Sequence, residues 1–111
     1  MRRGKVFYKD VLAGTITETN EGDYVFLYNA QYVKEHPGDF ISFTIPVSNL
    51  PYTDKRLFPF FEGLIPEGWL LNIASANWKI NRNDRMGLLL ACCKNCIGAV
   101  SVVPINEADG E

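Results

Sequence analysis

Apolar and polar positions alternate with a period of two through the first quarter of the chain. Residues 4–9 (GKVFYK), 13–19 (AGTITET) and 24–29 (YVFLYN) are short β-rich runs, and residues 20–23 (NEGD) form a turn in which Gly22 suits a positive φ. The pattern predicts a three-stranded antiparallel meander. In the third run Tyr24, Phe26 and Tyr28 share one face while Val25 and Leu27 share the other. Apolar residues on both faces predict a central strand covered on each side. Residues 30–40 (AQYVKEHPGDF) hold one helical turn before Pro37 and Gly38 break it. Residues 40–47 (FISFTIPV) read as a further strand that ends near Pro46, and residues 48–56 read as a polar connector.

From Leu57 the period changes to about 3.6. Leu57, Phe58, Phe60, Phe61, Leu64 and Ile65 make one helical stripe. Proline is tolerated only in a first turn, so this helix is short and starts near Pro59. Pro66 ends it and opens a second helix, with Glu67 at the positive end of the dipole and Leu70, Ile73 and Ala74 inward. Asn81, with Asp84 three residues on, resembles a helix-opening cap. The helix that follows presents Met86, Leu89, Leu90 and Cys93 on one side. Residues 97–104 (IGAVSVVP) predict a last strand stopped by Pro104. Strands, then helices, then a strand predict an α+β fold: a small antiparallel sheet, the N-terminal meander plus the C-terminal strand, with two or three helices packed on one side. Residues 1–105 form one domain, and residues 106–111 a disordered acidic tail.

Composition narrows the function. The chain has 111 residues, 47% of them hydrophobic, enough for one core without metal or disulfide staples. A net charge of −2 with scattered basic residues argues against a nucleic-acid partner. No apolar run follows the charged start and none reaches the length of a membrane span, so the expected compartment is the cytoplasm. Cys92, Cys93 and Cys96 are read as small buried or half-buried residues: a Cys-x-x-Cys redox pair belongs at a helix opening, and zinc needs a fourth ligand. His36, the single histidine, is read as a solvated loop residue. Glu62 and Glu67 flank the aromatic segment across a helix break and are read as solvent-facing charges. No phosphate-binding glycine loop or nucleophile elbow is present. The sequence predicts no catalytic residue, no cofactor and no metal: a binding module, not an enzyme. Trp69, next to Gly68 and one step before inward Leu70, is either the edge of the core or an exposed aromatic anchor.

The segments FFEGLIPEGW and RNDRMGLLLACCKNCIGAVSVVP resemble the N-terminal subdomain of HipA-type kinases. Phe60, Phe61, Leu64, Ile65, Pro66, Glu67 and Gly68 match the family's FF-x-x-LLPEG segment. Leu89, Leu90, Cys96, Gly98, Ala99, Val100, Val102 and Pro104 match its closing helix and its D-C-x-GAV-x-V-x-P strand. Asn95 stands where the family often has aspartate. The resemblance runs from about residue 4 to residue 104, includes no kinase segment, and carries over no catalytic residue. A free-standing copy is similar to HipS, the short component of HipBST-type toxin–antitoxin systems. The resemblance implies a partner, a HipA/HipT-like serine/threonine kinase that the short protein docks on and restrains. It also implies indirect association with a HipB-like helix-turn-helix DNA-binding protein, and no direct contact with nucleic acid or membrane. The expected partner-binding residues are Phe60, Phe61, Pro66, Glu67, Gly68 and Trp69. The alternative is a structural N-terminal wing, or fragment, of a split HipA-like kinase.

Overall fold

A two-residue turn opens the fold. Lys9 and Asp10 both take positive φ, 51° and 67°, as a tight hairpin requires. In the computed structural model, which describes residues 2–65, 81, 83–92 and 99–105, this turn joins β1 (Arg2–Tyr8) to β2 (Val11–Glu18). β3 (Tyr24–Tyr28) completes the meander that the alternation predicts. α1 (Ala30–Glu35), β4 (Tyr52–Asp54), α2 (Pro59–Glu62), α3 (Arg85–Cys92) and β5 (Val100–Ile105) follow. The sheet is antiparallel throughout, in the order β4-β3-β2-β1-β5, so the last strand returns beside the first. This is the expected α+β architecture, a five-stranded sheet with three helices among the described residues.

One face of the sheet makes the core. Val6, Ile16, Phe26, Tyr28 and Val102 turn inward and meet Leu57, Phe58, Phe61, Ile65, Met86, Leu88 and Leu89. Phe26 lies at its centre, edge-on to Tyr28 at 4.9 Å and tilted against Phe61 at 5.7 Å. A bulge in β2 leaves Ala13 without a partner on β1, and its carbonyl instead accepts the N–H of Asn29 at 2.8 Å.

Several expectations are corrected. Residues 40–47 are not a strand: they make one isolated bridge, Ser42 to Ile45, and the fourth strand is Tyr52–Asp54, inside the stretch read as a connector. The apolar alternation of residues 40–47 serves a loop that sends Ile41 and Ile45 inward. β3 is covered on one face only, since Leu27 is 42% exposed. Pro104 does not stop β5, which continues to Ile105. β5 is an edge strand, where a missing N–H breaks no ladder. The cap of α3 is Asp84 rather than Asn81: its Oδ1 accepts the N–H of Gly87 at 3.1 Å. α3 also buries Leu88, about 200° around the helix from Met86, so it is covered on more than the predicted side.

Candidate partner-binding surface

The aromatic segment starts as its prolines require. Pro59 stands in the first turn of α2, and Phe58 precedes it with extended backbone. The helix lasts one turn. That turn separates neighbouring phenylalanines: Phe61 goes fully into the core, while Phe60 remains half-buried and packs on Phe61 edge-to-face at 5.2 Å. Phe61 lies as the floor beneath Phe60, so any contact it makes with another molecule runs through that ring. Pro66, Glu67, Gly68 and Trp69 lie outside the described residues, as do the helix predicted after Pro66 and Cys93 and Cys96.

Glu62 faces solvent in part, its side chain 37% exposed, and is also paired. Its Oε1 accepts from Arg85 Nη2 at 2.8 Å and Nε at 3.0 Å, and its Oε2 from Nε at 3.2 Å, charge-assisted bonds that tie α2 to the first turn of α3. A second clasp fixes the other side of that turn. Arg2 donates to both oxygens of Asp84, at 2.9 and 2.7 Å, and to Glu18 at 2.7 Å. Tyr24 donates to the remaining oxygen of Glu18 at 3.2 Å. The Arg2 guanidinium, with help from the Gly87 N–H, holds Asp84 below its ordinary carboxylate range. Asp84 in turn holds Arg2 above its own. Sequence reading missed both clasps because the partners are far apart in the chain and no local pattern links them.

A third construction is the loop between α1 and β4. Tyrosine hydroxyls hold it at the main chain. Tyr28 donates to the Ile45 carbonyl and accepts the Ile41 N–H at 3.2 Å. Tyr32 donates to the Asp39 carbonyl, and Tyr52 to the Pro46 carbonyl at 2.7 Å. Burial is the main cause that pushes the Tyr28 phenol up to about 12 and raises Tyr32. Between the pins, Phe43 projects 89% exposed, edge-on to Phe40 at 5.0 Å, and Leu50 is 72% exposed. His36 leans on the Tyr32 ring and faces Asp39, Nδ1 to Oδ2 at 3.3 Å.

No three His, Cys, Asp or Glu side chains among the described residues are placed to hold a metal ion. An open hollow of about 510 Å³ is lined by Thr19, Glu21, Asp23, Val25, Thr53, Asp54 and Lys55. No described helix is long and apolar enough to cross a membrane.

These features define a small α+β domain in which Arg2, Glu18, Asp84, Glu62 and Arg85 are engaged in ion pairs that brace the fold, and in which Phe43 and, in part, Phe60 reach the surface. The chain belongs to the HipA N-terminal domain family, whose model it matches over residues 4–103. It is 33% identical over 102 residues to an uncharacterized protein of Haemophilus influenzae, an alignment covering 92% of each chain. A solved N-terminal domain of HipA toxin superposes with a TM-score of 0.73 at 29% identity, covering 96% of this chain and 95% of that one.

Proposed function

We propose that this chain is a non-catalytic binding module that docks on a HipA/HipT-like serine/threonine kinase and restrains it, as the antitoxin-like component of a toxin–antitoxin system. The carrying observation is the end-to-end match to the HipA N-terminal domain, 96% of one chain against 95% of the other. What aligns is a whole domain of a toxin and not a fragment of its fold. The Haemophilus relative adds support: with 92% of it aligned, that protein is itself little more than this one domain. The described acids and bases support a binding role as well, since Arg2, Glu18, Asp84, Glu62 and Arg85 hold one another. In this reading Phe60 and the segment of Pro66, Glu67, Gly68 and Trp69 face the kinase, and Trp69 is the main anchor. A HipB-like DNA-binding protein joins through the kinase. The chain meets neither nucleic acid nor membrane directly and works in the cytoplasm.

The test is co-purification with the HipA/HipT-like kinase of the same organism, followed by autophosphorylation of that kinase with and without the chain. Trp69→Ala is expected to fold normally and to weaken binding by about 2 kcal/mol or more. An unfolded variant would assign Trp69 to the core. A folded variant that binds fully would remove it as the anchor. If the chain binds and autophosphorylation is unchanged, it is a structural wing of a split HipA-like kinase, the second reading, which the likeness to a domain of HipA toxin also favours.

A further inference from the structure

We infer that Glu62 and Arg85 are positioning residues for the docking surface: their ion pair holds α2 at the angle that presents the Phe60 ring to the kinase. The inference rests on the proposed function for the partner and for the role of Phe60, and adds what keeps that ring in place.

α2 is a single turn, Pro59–Glu62, and one helical turn is not stable by itself. Its hold on the core is one-sided. Phe61 is fully buried, and Phe58, just before the helix, is 7% exposed. Consecutive helical residues point about 100° apart, so Phe60 and Glu62 leave α2 on opposite flanks of Phe61. A rocking of α2 about the Phe61 ring would lift one flank and lower the other. Arg85 blocks that motion on the Glu62 side, through Nη2 at 2.8 Å and Nε at 3.0 Å from Oε1 and Nε at 3.2 Å from Oε2.

The far end of the pair is fixed. Arg85 opens α3, whose Leu88 and Leu89 are fully buried. Asp84, its neighbour in the chain, is clasped by Arg2, and Arg2 also holds Glu18. A run of ion pairs thus leads from β1 and β2, through the start of α3, to the flank of α2 opposite Phe60. Fold stability is a poor account of the last link. With side chains 31% and 37% exposed, the Arg85–Glu62 pair is screened by water and adds little to folding. Arg85 also stands at the positive end of α3, where a cation is disfavoured. What the pair does supply is a fixed angle for Phe60. A ring already set in its bound position loses less freedom on docking.

The experiment measures the Kd for the purified HipA/HipT-like kinase by calorimetry, with wild-type chain, Glu62→Ala, Phe60→Ala and the two combined. Glu62→Ala should melt within a few degrees of wild type while its Kd rises about fivefold. Phe60→Ala should raise the Kd about tenfold. Added to Phe60→Ala, Glu62→Ala should change the Kd by less than about twofold, because no ring is left to position. A chain with the charges exchanged, Glu62→Arg with Arg85→Glu, re-forms the pair and should bind within about twofold of wild type. If the exchanged chain binds as weakly as Glu62→Ala, the charges meet the kinase themselves and the inference is overturned. It is overturned as well by full additivity with Phe60→Ala, or by a Kd that neither single substitution moves. All three outcomes leave the proposed function standing, whereas a wild-type chain that does not bind the kinase would remove both.

Discussion

Gly14→Ala should be among the most damaging single-methyl additions to this fold. Gly14 lies in β2, between Val6 of β1 and Tyr28 of β3. A Cβ built there would stand 2.4 Å from the Leu27 carbonyl oxygen, 2.9 Å from Cζ of Phe26 and 3.0 Å from Cα of Tyr28. Two of these neighbours are main chain, so no rotamer change relieves them. The third is a fully buried ring held by Tyr28 and Phe61. Overpacking a tight core costs about 1–3 kcal/mol, and with backbone as the obstacle we expect the upper end, about 3 kcal/mol. For a domain of this size that is a fall of about 12 °C in Tm. Gly4→Ala is the internal comparison. Its Cβ would meet Leu90 Cδ2 at 2.7 Å and Val102 Cγ1 at 2.9 Å, both side-chain methyls, and Leu90 is only half-buried and has room to turn. We expect about 1 kcal/mol there. Thermal melts and urea titrations of the two variants measure the contrast. A Gly14→Ala protein melting within about 4 °C of wild type, or Gly4→Ala proving the worse of the two, would refute the reasoning.

Other outcomes follow from the same structure. Asp84→Ala should destabilise by about 1 kcal/mol, chiefly through the lost helix cap, with little added for the half-exposed, solvent-screened pair with Arg2; urea titration measures it. Because Asp84 is depressed in the folded state, its contribution is present above its unfolded value near 3.8 and is lost as pH falls through the lower folded value. Asp84→Asn should therefore flatten the acid limb of a stability-versus-pH curve. Tyr28 shows the opposite sign: raised to about 12, it contributes stability that is complete below its unfolded value near 10 and is lost as pH rises from there towards 12. Tyr28→Phe should remove that alkaline loss, cost about 1–3 kcal/mol by stranding the Ile41 N–H and the Ile45 carbonyl, and speed hydrogen exchange at Ile41. Replacing Lys9-Asp10 by Asn-Gly, which accept positive φ more readily, should raise stability by about 1 kcal/mol, read as an increase in Tm.

The meander and the last described helix are legible because period-two and period-3.6 burial leave a local trace, as in Val6, Ile16 and Phe26 or Met86 and Leu89. The fourth strand was not. Tyr52–Asp54 has three residues, and only the partly buried Tyr52 marks it, whereas the loop before it imitates a strand by sending Ile41 and Ile45 inward around a tyrosine. The open face of β3 was also hidden, since Val25 and Leu27 look like core in sequence and an exposed leucine at 42% carries no sign of its fate. Phe60 and Phe61 were grouped by their neighbourhood, yet adjacent helical residues point about 100° apart, so one reaches the surface and the other the core. The pairing of Glu62 leaves no local trace because Arg85 lies 23 residues away.

The tyrosine pins reach Asp39, Ile41, Ile45 and Pro46 through main-chain carbonyls and one amide. They register the route of the backbone and are blind to most of the letters along it. Positions such as 43 and 50 can then drift over generations with the scaffold unharmed.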